Sequence, residues 1–423
     1  MSKIGCGPSA LSEFPLAKGY RNLNHGSFGT YPLSIQPILD KYRRDCEARP
    51  DLWIRWEYPK LLDRSREAIA AFVHAPVETC VLVPNATTGL NVVLRNLTYT
   101  KGDTVIYFPS IYGACEKTIM HLMETTPLSA HRLDSSLSVL DGDAICDSFR
   151  SAITTLRSRG QTPKVAVFDT ISAIPGTRMP FERLTQICRE ASVLSCIDAA
   201  HSIGQIPLNL TQLDPDFFFT NCHKWLYTPR GCALLYVPVR NQHLIRTPFP
   251  TSHGFVPRVG QGINNPLPPT TKSEFVNNFE FVATLDNTPY LSIPAALEWR
   301  RRAVYKNLEG DEAIYTYLHT LAADSGRVVA EILGTEAMEQ HPRSAFANVR
   351  LPLTSTASKA ADVARGITDV VLREYDSFVL VYVYNGMLWV RLSAQMYLGI
   401  GDFEWVGKVL KGVCERVQRG SKL

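Results

Sequence analysis

The sequence predicts an α/β fold with a mostly parallel sheet in a large domain, followed by a smaller α+β C-terminal domain. Short apolar runs such as Cys80-Val81-Leu82-Val83 and Val165-Ala166-Val167-Phe168 show no polar alternation, and amphipathic stretches of helical period lie between them. Strands apolar on both sides are buried on both faces, the environment of parallel βαβ units covered by helices. Length is the third observation: 423 residues exceed a single core, which stops growing at roughly 250–300 residues.

Residues 1–29 are read as an N-terminal segment contributing to the functional site, 30–285 as the large domain and 286–423 as the small one. Cys80 to Pro84 reads as a strand, and after Asn85-Ala86-Thr87-Thr88-Gly89 the run LNVVLRNL continues as a helix. Thr104 to Phe108 is the next strand, followed by the helical ACEKTIMHLME. KVAVFDTIS, Lys164 to Ser172, is a third strand, leading through Pro175-Gly176 to the helix FERLTQICREA. VLSCIDAA, residues 193–200, is a fourth with Asp198 near its C-terminal end, and Asp216 to Phe219 is a fifth, buried strand just before Lys224. GQGINNPLPPTTKS, Gly260 to Ser273, looks like a long surface excursion, and such loops are often functional. IPAALEWRRRAVYKNL is expected to begin a long helix, while FANVRLPL and SFVLVYVYNGMLWVRLS read as antiparallel strands with flanking helices.

Composition narrows the function. With 45% hydrophobic and 20% charged residues the chain has the balance of an ordinary globular protein. A formal net charge of +4, with Lys and Arg scattered among acidic residues, offers no stripe for nucleic acid or a membrane surface. A small molecule is the expected partner. MSKIGCGPSALSEF has no apolar leader core and no long uncharged apolar run follows, so a cytoplasmic location is expected. The ten cysteines form no CxxC pair and read as reduced, packed thiols, with no metal expected.

Ligands of parallel sheets collect beyond the C-terminal strand ends. The polar residues there are Asn85, Ala86 and Thr87, then Tyr112, then Asp169 and Ser172, then Asp198 and His201, then His223 and Lys224, all candidates for one cofactor pocket. A helix start at NATTG suits a phosphate through its N–H groups and dipole, although Thr and Gly there are more commonly simple caps. Asp198 alone could be an N-cap, and Lys224 alone a solvated lysine. Together they supply an anion for a heterocyclic nitrogen and an amine for a carbonyl, the pair that a Schiff-base cofactor with a pyridinium ring requires. No GxGxxG follows an early strand, which disfavours a nicotinamide dinucleotide.

The segment IDAAHSIGQIPLNLTQLDPDFFFTNCHKWLYTPRG resembles the Asp-x-x-His and His-Lys segments of class V, fold type I pyridoxal-phosphate (PLP) enzymes, the superfamily of cysteine desulfurases and isopenicillin N epimerase. RNLNHGSFGTYP, IYGACEKTI, VPVRNQHLIR with PTSHGFVP, FEFVATLDNTP and WVRLSAQMYL with DFEW extend the resemblance over nearly the whole chain. They are most similar to the fungal C–S lyase branch that acts on hercynylcysteine sulfoxide in ergothioneine biosynthesis.

The resemblance implies that Lys224 forms the Schiff base and later takes the substrate Cα proton, while Asp198 pairs with the pyridinium nitrogen. It places His201 near the ring hydroxyl, Tyr112 on the ring face, and Ala86, Thr87 and His223 at the phosphate. Thr284 would come from a second subunit, giving a homodimer with shared sites. Arg391 would clamp the substrate carboxylate in a bidentate fork, assisted by Asn24 and His25. Many class V enzymes stack a histidine where this chain has Tyr112, a phenol able to protonate a leaving group. The region Thr354 to Asp369 is shorter than in the fungal lyase, and Asn385-Gly386-Met387 replaces a more basic stretch, so substrate choice is expected to differ there.

The implied reaction is α-proton removal and expulsion of a β-sulfur group. Epimerisation, cyclisation as in loline-type alkaloid pathways, and a PLP-fold binding protein without turnover are the alternatives. Three smaller features have two readings each. Trp53, Trp56 and Tyr58 suit either a cage for a quaternary ammonium or plain packing. Cys222 is either a nucleophile or a buried thiol, and His253 with Arg258 either reach a partner's site or serve the loop.

Overall fold

The structure, a computed structural model, describes residues 2–134, 141–260, 264–339, 341–353 and 357–419. Residues 261–263 of the proline-rich excursion, and Thr354 to Thr356 of the shortened region, lie outside the described residues. Helices α1 (Gln36–Ala48) and α2 (Tyr58–Phe72) precede a seven-stranded sheet. In chain order this runs β1 (Cys80–Val83), α3 (Ala86–Asn96), β2 (Asp103–Tyr107), α4 (Gly113–Thr125), β3 (Ser129–Arg132), α5 (Gly142–Ser158), β4 (Thr162–Asp169), α6 (Phe181–Glu190), β5 (Leu194–Asp198), β6 (Phe217–Asn221) and β7 (Ala233–Tyr236).

The spatial order is β1-β7-β6-β5-β4-β2-β3, and only β7 runs antiparallel to its neighbours. The sheet is mostly parallel, as expected. Side chains alternate between two apolar layers. Phe218, Leu82, Phe168 and Ile197 pack with α2, α5 and α6, whereas Phe217, Phe219, Val81 and Val167 pack with α3 and α4. Gly89 lets α3 approach β6, because a Cβ there would lie 2.8 Å from Cβ of Phe219.

Three expectations need correction. The third strand stops at Asp169 rather than Ser172, since the chain then turns and Ser172 Oγ accepts the N–H groups of Gly176 and Thr177, both at 3.2 Å. The sheet also contains β3 and β7: Ser129-Ala130-His131-Arg132 is a partly exposed edge with no apolar run to mark it, and β7 returns after only a short turn. The long helix expected from Ile293 ends at Arg300. Ala303–Tyr305 instead pairs in parallel with Ile4–Gly5, so the hydrogen-bonding demand of the N-terminal segment overrides helical propensity.

Arg300 is fully buried where that helix ends. It donates to the carbonyls of Trp225 (2.8 Å) and Gly204 (3.1 Å) and pairs with Asp311 at 2.6 Å, so it braces the turn that carries Lys224. Beyond it, α7 (Gly310–Leu333), β8 (Phe346–Arg350), α8 (Ala357–Tyr375), β9 (Leu380–Tyr384), β10 (Met387–Ser393) and α9 (Ile400–Gln418) follow. The three strands form an antiparallel sheet ordered β8-β10-β9, as expected for an α+β unit. Among the described residues no helix is long and apolar enough to cross a membrane.

Candidate active site

Lys224 sits in the short helix Cys222–Trp225 directly after β6. Its side chain reaches a cavity of about 730 Å³ whose wall also includes His201, Tyr112, Ser27 and Arg391. Burial lowers the Lys224 amine from 10.5 to about 8, with Asp198 opposing the shift and Arg391 adding to it. A buried amine is thereby held partly neutral near physiological pH, as a nucleophile for a carbonyl must be.

The carboxylate expected beside it is in place. Asp198 and Asp169 are register partners at the ends of β5 and β4, and Phe219 on β6 is the next partner along. Asp198 Oδ1 accepts the Ala200 N–H at 3.0 Å, and Oδ2 accepts the Cys115 thiol at 3.6 Å. Asp169 accepts from Ser110 Oγ at 2.8 Å. Burial pushes both carboxyls up, and Asp198 pushes Asp169 further, because two adjacent buried carboxylates do not both ionise readily. A ring cation placed between Lys224 and Asp198 would relieve that pressure.

The helix start of α3 is tied to the lysine turn. Asn85 is its N-cap, accepting the Thr88 N–H at 2.8 Å, while the Ala86 N–H donates at 2.9 Å to Asn221, three residues before Lys224. Ala86 is therefore already engaged, and Thr87 occupies the first turn, where N–H groups have no intrahelical acceptor. His223 Nδ1 bonds the Cys232 carbonyl at 3.1 Å, and burial lowers its imidazole to about 4, so Nε2 carries the lone pair until an anion draws a proton to it.

Arg391, on β10, is 2% exposed. One terminal nitrogen donates to the Ala173 carbonyl, and the other to Asn24 Oδ1 at 3.0 Å and Ser27 Oγ at 3.1 Å. Among the described residues its Nε has no partner and no carboxylate lies within ion-pair distance. The guanidinium lies 4.5 Å from the centre of the Phe346 ring. Burial lowers it only to about 10, so it stays charged at neutral pH.

Several expected residues take other positions. His25 does not line the cavity: one ring nitrogen bonds the Lys224 carbonyl at 2.5 Å and the other Tyr397 Oη at 2.9 Å, so it holds the backbone from behind. Asn24 orients Arg391 rather than facing the cavity itself. Ser172 shapes the turn whose residues Ala173, Ile174 and Pro175 line the cavity. Thr284 is exposed and away from this chain's own cavity. Trp53 packs on Tyr42, Trp56 is exposed and Tyr58 is buried, and none of the three lines the cavity. Cys222 is fully buried with its thiol pushed well up, which favours the packing reading.

Sequence reasoning did not anticipate Ser27, Ser110, Cys115, Asn221, Phe346, Val383 or Tyr384, although Asn385 was marked as a place where substrate choice differs. Ser27, Ser110 and Asn221 each lie two residues from a named candidate, the one signal that could have found them.

A buried lysine and aspartate on adjacent parallel strand ends, with a helix N-terminus tied to the lysine turn, form the donor set of a fold type I PLP enzyme, and the residues present fit that cofactor. A family model described as aminotransferase class V matches residues 53–256. An L-cysteine desulfhydrase-like protein of Epichloe uncinata is 37% identical over 98% of this chain and 97% of its own. A hercynylcysteine sulfoxide lyase of Schizosaccharomyces pombe is 28% identical, with 96% and 98% covered. The fold is shared with a C-DES variant solved with glycine covalently linked to its PLP cofactor, at a TM-score of 0.77, 16% identity, and 95% and 98% coverage. The chain belongs to the class V aminotransferase family, a family of PLP-dependent enzymes.

Proposed function

We propose that the protein is a C–S lyase: it binds an amino acid bearing a β-sulfur substituent, removes the Cα proton and expels the sulfur group. One observation carries the reading. Arg391 is a buried cation that, among the described residues, has no carboxylate partner and no partner at Nε, on the wall of the cavity that holds Lys224. Such a charge is costly unless an anion completes it, and an α-carboxylate supplies one next to the amine chemistry.

PLP, when bound, supplies the carbonyl that captures the substrate amine and the electron sink that acidifies the Cα–H. Arg391, steadied by Asn24, Ser27 and Phe346, holds the carboxylate and so fixes which Cα bond faces Lys224. Lys224, lowered to about 8, is the base for that proton. Asp198 keeps the ring nitrogen protonated, and Tyr112, on the cavity wall, offers a ring face and a hydroxyl that protonates the departing sulfur. Hydrolysis of the remaining three-carbon fragment would give pyruvate and ammonia.

The named activities of the two curated relatives support elimination over cyclisation or epimerisation. The exposure of Thr284, away from its own cavity, supports a homodimer in which it completes the neighbouring phosphate site. We also read the protein as cytoplasmic, and take residues 30–285 as the cofactor-binding unit and 286–423 as the unit that brings Arg391. The ladder of Ile4–Gly5 with Ala303–Tyr305 supports grouping residues 1–29 with the junction between them. Incubation with L-cysteine, S-alkylcysteine sulfoxides and hercynylcysteine sulfoxide should release pyruvate from at least one. Exchange of the Cα proton with solvent deuterium and no pyruvate from any of them would contradict elimination.

A further inference from the structure

His201 and Trp225 form a contact that constrains where a proton can sit. The indole N–H of Trp225 is a donor and never an acceptor, and it lies 3.3 Å from His201 Nδ1. Nδ1 must therefore present its lone pair. A neutral imidazole then carries its single proton on Nε2, and Nε2 lies 3.1 Å from the Lys224 amine.

Neither ring is free to turn away. Trp225 is fully buried, packed edge-on against Phe346 at 5.4 Å and tilted against His25 at 5.4 Å, and its carbonyl is held by Arg300. His201 is 2% exposed and packs edge-on to the same Phe346 at 5.3 Å, and its own carbonyl accepts from Gln205 at 2.6 Å. Gly204 lets the backbone after His201 approach this turn, since a Cβ there would stand 2.3 Å from the Trp225 carbonyl oxygen. The ionisable groups facing the imidazole are Lys224, Arg391 and His223, none of them an anion that would favour a second proton.

We propose that Trp225 is a positioning residue that locks His201 as the neutral Nε2–H tautomer, so that the imidazole donates, and never accepts, at the Lys224 end of the cavity. The contact has a directional consequence. While Lys224 lies opposite Nε2, its amine must offer a lone pair, so the contact selects the neutral amine. Once the amine is engaged elsewhere, the same N–H is free for an acceptor on the cofactor ring. The second consequence rests on the PLP reading, whereas the tautomer rests on protein atoms alone.

The test is long-range proton–nitrogen correlation NMR on the purified holoenzyme labelled at histidine, with His201 assigned by the signal missing in His201→Gln. The expected result is a protonated Nε2 and an unprotonated Nδ1 across neutral pH. A Trp225→Phe variant keeps an aromatic ring but removes the donor. In it the His201 signals should move toward a mixture of tautomers, and the pH midpoint of the visible cofactor band should shift. Protonated Nδ1 or an imidazolium in the wild type would overturn the proposal, as would unchanged His201 signals in a folded Trp225→Phe. The wild-type measurement stands even where that variant does not fold. A protein that takes up no PLP would refute the cofactor reading while leaving the tautomer measurable.

Discussion

Lys224 is held between burial, which favours the neutral amine, and Asp198, which favours the charged one, and burial wins. Because the amine reacts when neutral, capture of PLP by the stripped protein should accelerate as pH rises through about 8 and then level off. Acceleration that continues toward the ordinary lysine value of about 10.4 would show that burial is not lowering it. Arg391 gives the second prediction. Arg391→Lys should raise KM for a carboxylate substrate by roughly 10-fold or more while leaving cofactor content intact, because a compact ammonium cannot hold Ala173, Asn24 and Ser27 and still present a fork. Equal loss of substrate affinity and bound PLP would contradict that division of roles. Lys224 was legible in the sequence because an amine is unusual directly after a buried strand, whereas Arg391, inside a strand of the antiparallel sheet, was legible only through the resemblance of WVRLSAQMYL. His25 and Asn24 were legible only as neighbours of the site: whether a polar side chain faces a cavity or the backbone behind it depends on packing from distant segments, here Tyr397 and Arg391.

Among the elements, parallel strands were readable where burial on both faces leaves an uninterrupted apolar run, seen in β4 and β6. β3 lacks such a run because it is the sheet edge, and the strand after Arg300 is defined by its pairing with Ile4–Gly5, some three hundred residues away. The N-terminal segment also meets the site at Gly29, which has a φ of 65° and where a Cβ would fall 1.7 Å from the His223 carbonyl oxygen. Gly29→Ala should therefore displace the Lys224 turn, weakening PLP binding as well as lowering stability, measured by cofactor retention and thermal melting. Wild-type retention of PLP would show that the close approach is not needed. Phe218 sits fully buried in the larger apolar layer. Phe218→Ala should cost about 3–5 kcal/mol, read from denaturant unfolding of the holoenzyme.

Across the whole molecule, Lys224, the proposed catalytic base, comes from the parallel sheet and Arg391, the proposed carboxylate clamp, from the antiparallel one, with the N-terminal segment joining both through Asn24, Ser27 and His25. We assign substrate choice to the part of the cavity wall that Val383, Tyr384 and Asn385 share with Ile174 and Met179, a hairpin whose composition the sequence already marked as divergent. In the proposed dimer, Thr284→Ala should lower PLP retention although its own cavity is untouched, and mixing it with a Lys224→Ala chain should restore one complete site in each heterodimer, because the Thr284→Ala chain keeps its own Lys224 and receives Thr284 from its partner. The site as a whole rests on Lys224 being the residue that bonds PLP. Borohydride reduction of the yellow holoenzyme followed by peptide mapping is the decisive measurement: a pyridoxyl group on Lys224 alone is expected, and label on another lysine, or none on Lys224, would refute the assignment.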